Sequence, residues 1–243
     1  MIDALSVSSA PSAIFSTNRS RPTDEFCIPA TFSFRFAMPV QRVDALPRKG
    51  KQLLKLTDDC RLFWPGSDLS EDVSPLKISA AWNPNGLGIA AEVTGKKHPA
   101  VSDIERPDET DALQIWINTR NTTSIHRANR LCHHFCLLPN GGGDDGLEPV
   151  VRQLPIARAT EDAPISTPDA FKIKSERTKD GYKLEAWLPA ECLNGFDSAE
   201  SSQLAFYVML RDSELGDHCL TVDAAFPFAS DPSLWQTLDL LDV

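Results

Sequence analysis

Residues 76–93 read Leu-Lys-Ile-Ser-Ala-Ala-Trp-Asn-Pro-Asn-Gly-Leu-Gly-Ile-Ala-Ala-Glu-Val. Two β-rich runs, 76–82 and 87–93, flank Asn83-Pro84-Asn85-Gly86. Proline fixes its own φ and Asn-Gly tolerates positive φ, so the four residues carry turn chemistry between extended segments. The stretch predicts a β-hairpin, and the rest of the chain repeats its logic.

Upstream, Phe32, Phe34 and Phe36 alternate with Ser33 and Arg35, the period-2 pattern of a strand with one apolar face. Residues 53–56 and 62–64 are short apolar pieces stopped by Pro65-Gly66. Downstream, strands are expected at 112–118, 131–138, 171–176, 182–188, 204–211 and 235–240, with Asp180-Gly181 as a second hairpin turn. Residues 139–170 are rich in Gly, Pro and Asp and read as a long excursion. Helix is expected only in short pieces such as 189–193. The pattern is that of a mainly β protein, an antiparallel, jelly-roll-like β-sandwich with long loops and few short helices. One domain spans 26–243, and residues 1–25, rich in Ser, Thr, Pro and Ala, form a poorly ordered arm.

The chain has 243 residues, enough for a full core, and a formal net charge of −10. No run of Lys and Arg stands out, so nucleic acid is not an expected partner. No apolar run reaches the roughly 20 residues that cross a bilayer, and Asp3 stands where a signal peptide wants basic residues. The expected location is therefore cytoplasmic, unless a misplaced start hides a signal. In that case Asn121-Thr122-Thr123 becomes a glycosylation acceptor. The six cysteines are scattered over a chain too long to need disulfides and read as mostly buried thiols. Oligomeric state is not legible.

Five segments in order resemble the family 9 carbohydrate-binding modules and the related DOMON-like sandwiches. They are Ala81-Trp82 with its hairpin, residues 111–118 (Asp-Ala-Leu-Gln-Ile-Trp-Ile-Asn), residues 181–189 (Gly-Tyr-Lys-Leu-Glu-Ala-Trp-Leu-Pro), residues 206–212, and Trp235-Gln236-Thr237-Leu238. The resemblance covers about residues 75–240. It implies a non-catalytic sandwich that holds a carbohydrate ligand against tryptophans, in a family where structural calcium is common. The sequence departs from that pattern in lacking an attached catalytic domain and in the block 126–135, His-Arg-Ala-Asn-Arg-Leu-Cys-His-His-Phe.

Strand alternation selects the candidate ligand-binding residues. In 112–118, Leu113, Ile115 and Ile117 point one way and Gln114, Trp116 and Asn118 the other. In 182–188, Leu184, Ala186 and Leu188 oppose Lys183, Glu185 and Trp187. Aromatic faces suit the C–H faces of a sugar, and amides, carboxylates and guanidinium groups suit its hydroxyls. Trp116 and Trp187 with Gln114, Asn118 and Glu185 form the candidate site, to which Arg120, Arg211 and His134 add polar groups. The competing reading packs both tryptophans under the 139–170 excursion. Trp82 and Trp235 read as core, and Trp64 either as a plug at a sandwich end or as a binding residue.

Cys132, His134 and Cys136 share a strand face, but residues two apart are separated by roughly 6.6 Å and rarely chelate together, so no zinc site is expected. Asp144-Asp145 in a glycine loop is the candidate calcium position; no other cofactor is expected. Gly86-x-Gly88 mimics a dinucleotide fingerprint but leads into a strand, where no helix N-terminus awaits a phosphate. A hydrolytic pair of Glu185 with Asp111 or Asp212 is conceivable among 34 acids, but the reading is non-catalytic. Two alternatives stand beside sugar binding. One is an orphan or protein-interaction sandwich; the other is a haem-binding DOMON-like domain using Met38 or Met209.

Overall fold

The computed structural model describes residues 35–65 and 74–242. Among the described residues, eleven strands run β1 (Ala37–Arg42), β2 (Leu76–Asn83), β3 (Gly86–Thr94), β4 (Ala112–Asn118), β5 (Cys132–Gly142), β6 (Glu148–Leu154), β7 (Lys172–Arg177), β8 (Gly181–Pro189), β9 (Gln203–Asp212), β10 (Gly216–Cys219) and β11 (Gln236–Leu241). They form one continuous sheet in the order β6-β5-β4-β9-β11-β1-β2-β3-β8-β7, with β10 on β9. The sheet rolls until β6 lies against β7, which makes a flattened, nearly closed sandwich. The mainly β sandwich expected from the sequence is the fold observed.

The hairpin expected at 76–93 is β2-β3, in register from Leu76↔Val93 to Asn83↔Gly86. Asn83 fixes its turn, donating through Nδ2 to the carbonyls of Val43 (3.1 Å) and Leu46 (3.0 Å) and accepting from the Asn85 N–H at 2.9 Å. Gly86 has φ +148, and a Cβ there would stand 2.3 Å from the Leu188 carbonyl oxygen. Only glycine lets β3 and β8 pair this closely.

The inward faces meet in one core. Leu113, Ile115 and Ile117 with Phe135, Phe206 and Val208 come from one layer, and Ile78, Leu87, Ile89, Leu184, Ala186 and Leu188 from the other. This is the division that alternation predicts.

Three features differ from expectation. The sheet is not wholly antiparallel, because β1 runs parallel to both β11 and β2 and joins the two layers. Pro39 is tolerated there because β1 meets β2 only at Gln41 and Arg42. The excursion at 139–170 is partly strand: residues 139–142 extend β5, and β6 returns as its hairpin partner. The third is the start of the first strand. Phe32 and Phe34 of the expected phenylalanine strand, like the arm at 1–25, lie outside the described residues, and β1 begins after Phe36.

Candidate functional site

Two loops decide what the outer faces of the sandwich can do. Segment 220–235 lies over β4, β5 and β9. There Trp116 is 2% exposed, stacked on His134 with ring centres 4.3 Å apart and planes 7° from parallel. Phe228 packs edge-on to Trp116 at 5.4 Å and stacks on Tyr207 at 4.4 Å. Trp235 Nε1 anchors this cover by donating to the Phe228 carbonyl at 2.7 Å, and the Tyr207 hydroxyl donates to the Val222 carbonyl.

Gln114, Trp116, His134 and Arg211 do come together, the first three buried and Arg211 half-buried at the edge of the cluster. Gln114 Oε1 accepts from His134 Nε2 at 3.1 Å, and the Asp108 carbonyl accepts from both Gln114 Nε2 (3.0 Å) and Arg211 (2.6 Å). Burial pushes the His134 pKa down to about 3, so the ring is neutral and donates from Nε2. Arg211 also grips Asp217 through two nitrogens at 3.1 and 2.8 Å, which raises its pKa. Asn118 is buried, and its Oδ1 accepts from the Arg120 N–H. The Arg120 guanidinium turns to the Gly195 carbonyl and to Glu200 at 2.8 Å.

Trp187 belongs to the opposite outer face. At 3% exposure it sits under segment 43–60, packed with Leu46, Leu53, Leu54, Cys60 and Ala81. Gly88 makes room for this cover, since a Cβ would meet Leu54 at 2.9 Å. The expected pairing of Trp116 with Trp187 is therefore corrected: the sandwich aims them in opposite directions, and apolar loops other than the 139–170 segment cover each. Trp64, Trp82 and Trp235 are buried as well.

Among the sequence candidates, Glu185 lines open hollows on the outer face. One of its oxygens accepts from the Leu53 N–H at 2.6 Å, fixing the edge of the cover, and beyond that edge the outer face opens. The register sets Lys77, Glu92, Lys183 and Glu176 in one row across β2, β3, β8 and β7, and Ser79, Ala90, Glu185 and Lys174 in the next. Neighbouring strands lie about 4.8 Å apart, so the rows form a ladder of charges and hydroxyls. Three adjoining hollows of about 440, 300 and 500 Å³ run along it, and Gln52 lines all three.

Sequence reasoning missed this groove, and it missed a buried ion cluster. Lys96 Nζ lies 2.5 Å from Asp212 Oδ2 and 3.2 Å from Asp111, with all three side chains at most 2% exposed. The backbone N–H groups of Val101 and Ser213 donate to Asp111, and those of Glu214 and Leu215 to Asp212. Both aspartates are thus bound up in structure, and neither forms the hydrolytic pair with Glu185. Asp144 and Asp145 are exposed at the β5-β6 turn, where Asp145 accepts from the Leu147 N–H at 3.0 Å. Met38 and Met209 are core residues. Among the described residues, no helix is long and apolar enough to cross a membrane.

The architecture is that of the family 9 carbohydrate-binding modules. A family 9 module from Caldicellulosiruptor kristjanssonii, solved in complex with cellotriose, is similar at TM-score 0.54 and 13% identity, covering 84% of this chain and 93% of that one. A second structure, of a family 9 module from the same organism in complex with glucose, gives TM-score 0.53 and 13% identity over 85% of this chain and 96% of that one. No protein-family model matches the sequence, and no curated protein matches it.

Proposed function

We propose that this domain is a non-catalytic sugar-binding module whose ligand lies in the groove over β2, β3, β8 and β7. The observation that carries the reading is the likeness in fold to modules solved with cellotriose and with glucose. The groove supports it chemically. Gln52, Ser79, Lys183 and Glu185 present an amide, a hydroxyl, an ammonium and a carboxylate along one open surface, a mixture suited to sugar hydroxyls. Asp111 and Asp212, held by Lys96, are unavailable as partners for Glu185 in hydrolysis, which favours binding over cleavage.

Isothermal titration of the whole chain with cellotriose, xylotriose and glucose tests the reading. Saturable heat that Lys183→Ala and Glu185→Ala each weaken by about tenfold, roughly 1.4 kcal/mol, is the expected result. No heat with any saccharide sinks the function, and binding indifferent to both variants sinks the location. Calorimetry is the right readout because all five tryptophans are buried and none lines the groove, so their emission is a poor reporter of occupancy.

A further inference from the structure

The groove reverses the charge balance of the chain around it. The whole chain carries 24 Lys and Arg against 34 Asp and Glu. The three hollows are lined by eight Lys or Arg side chains against four acids, Asp58, Glu92, Glu176 and Glu185. The excess is built in space, not along the sequence. Arg48, Lys49, Lys51 and Lys55 come from the covering segment, and Lys174 and Lys183 rise from β7 and β8 more than 100 residues later. Lys174 ties the two parts together, donating to the Gly50 carbonyl and, at 3.1 Å, to that of Lys51.

Concentrating cations in a chain of net charge −10 brings like charges together at a cost to folding, and the potential it creates attracts anions. We infer that the ligand of this groove is an acidic saccharide, one bearing carboxylate or sulfate groups along its chain. The inference rests on the sugar-binding reading and narrows it. A nucleic acid fits less well, because acids interrupt the cations at every ladder row (Glu92 lies 3.5 Å from Lys183) and the hollows have no aromatic side chain for base stacking. An acidic saccharide suits the interruption. Its anionic groups meet the lysines, and its hydroxyls donate to Glu176 and Glu185.

The test is titration of the whole chain with a galacturonic acid hexamer, a heparin hexasaccharide, cellohexaose and a single-stranded DNA oligomer, at low and raised salt. The charge reversals Lys49→Glu/Lys51→Glu and Lys183→Glu are compared with Arg130→Glu, an exposed site on β5's N-terminal approach. The inference expects an acidic hexamer to bind at least about tenfold tighter than cellohexaose, to weaken as salt rises, and to lose about tenfold in either groove variant but not in Arg130→Glu. Cellohexaose binding as well as the acidic hexamers overturns the anionic ligand and leaves sugar binding standing, as does charge reversal without effect. DNA binding as tightly as the acidic hexamers overturns it in favour of a general polyanion site. No saccharide binding overturns both readings. Circular dichroism of each variant separates lost binding from lost fold.

Discussion

Replacing Lys96 by methionine keeps the length of the side chain and removes its charge, leaving Asp111 and Asp212 facing each other in a site at most 2% exposed. Breaking a buried ion pair by removing one partner costs about 3–5 kcal/mol, because the remaining charge is uncompensated. Here the carboxylates keep four backbone N–H donors, from Val101, Ser213, Glu214 and Leu215, so the lower end of that range, about 3 kcal/mol, is expected. For a domain of this size that is a fall in melting temperature of roughly 6–12 °C. Lys97→Met, on the exposed neighbour, should stay within about 0.5 kcal/mol of wild type. The double variant Lys96→Met/Asp212→Asn should be more stable than Lys96→Met, since the asparagine oxygen still accepts from Glu214 and Leu215 while one of the stranded charges is gone. Burial works to lower the Lys96 pKa, but hydrogen bonding to Asp212 and the charge of Asp111 outweigh it and leave the pKa raised. Its stabilising contribution is therefore complete below the unfolded pKa of about 10.4 and fades only as pH climbs through the folded value. Urea unfolding of the four proteins at neutral pH supplies the free energies, and thermal melts the shift in melting temperature. A Lys96→Met protein as stable as Lys97→Met would refute the reasoning.

Trp116→Ala and Trp187→Ala should each cost about 3–5 kcal/mol in urea unfolding, and neither should alter sugar affinity while the protein is folded. A large affinity loss at unchanged stability would return them to the binding site. His133 and His134 are held neutral by burial, with pKa values near 4 and 3. The unfolded chain therefore binds more protons below pH 6.5, and stability should drop by about 1.6 kcal/mol for each histidine between pH 6.5 and 5. His134→Gln should roughly halve that slope in that window. Gly86→Ala should cost about 2–4 kcal/mol, because its Cβ has nowhere to go beside Leu188, whereas Gly146→Ala, with φ +70 but open space, should cost about 1 kcal/mol; equal losses in thermal melts would discount the close approach of β3 and β8.

The strands legible in the sequence are the β2-β3 hairpin, β4, β5, β7, β8, β9 and β11, most of them through one clear apolar face. The ones that escaped each break the pattern for a physical reason. β1 and β6 contain Pro39 and Pro149, acceptable only because β1 is barely paired on one side and β6 is an edge strand. β10 is four residues, Gly-Asp-His-Cys, with no alternation to see.

The misreading of Trp116 and Trp187 follows from what alternation measures. It tells which residues share a sheet face, but not whether that face meets water or a second layer. The sign of a second layer was in the sequence, though not in its strands. Leu46, Leu53 and Leu54 before β2, and Leu220, Val222 and Phe228 before β11, are apolar residues in segments without a strand's period, and such residues need a surface to bury against. The only surfaces left are the outer faces of the sandwich, and the tryptophans are the largest apolar groups on them. Once both loops are laid down, the strip of sheet they leave open is where β7 and β8 run past the edge of segment 43–60. That strip carries lysines and glutamates in place of aromatics. On the proposed reading the ligand meets the residues the covers fail to reach, and at that strip the chemistry is ionic.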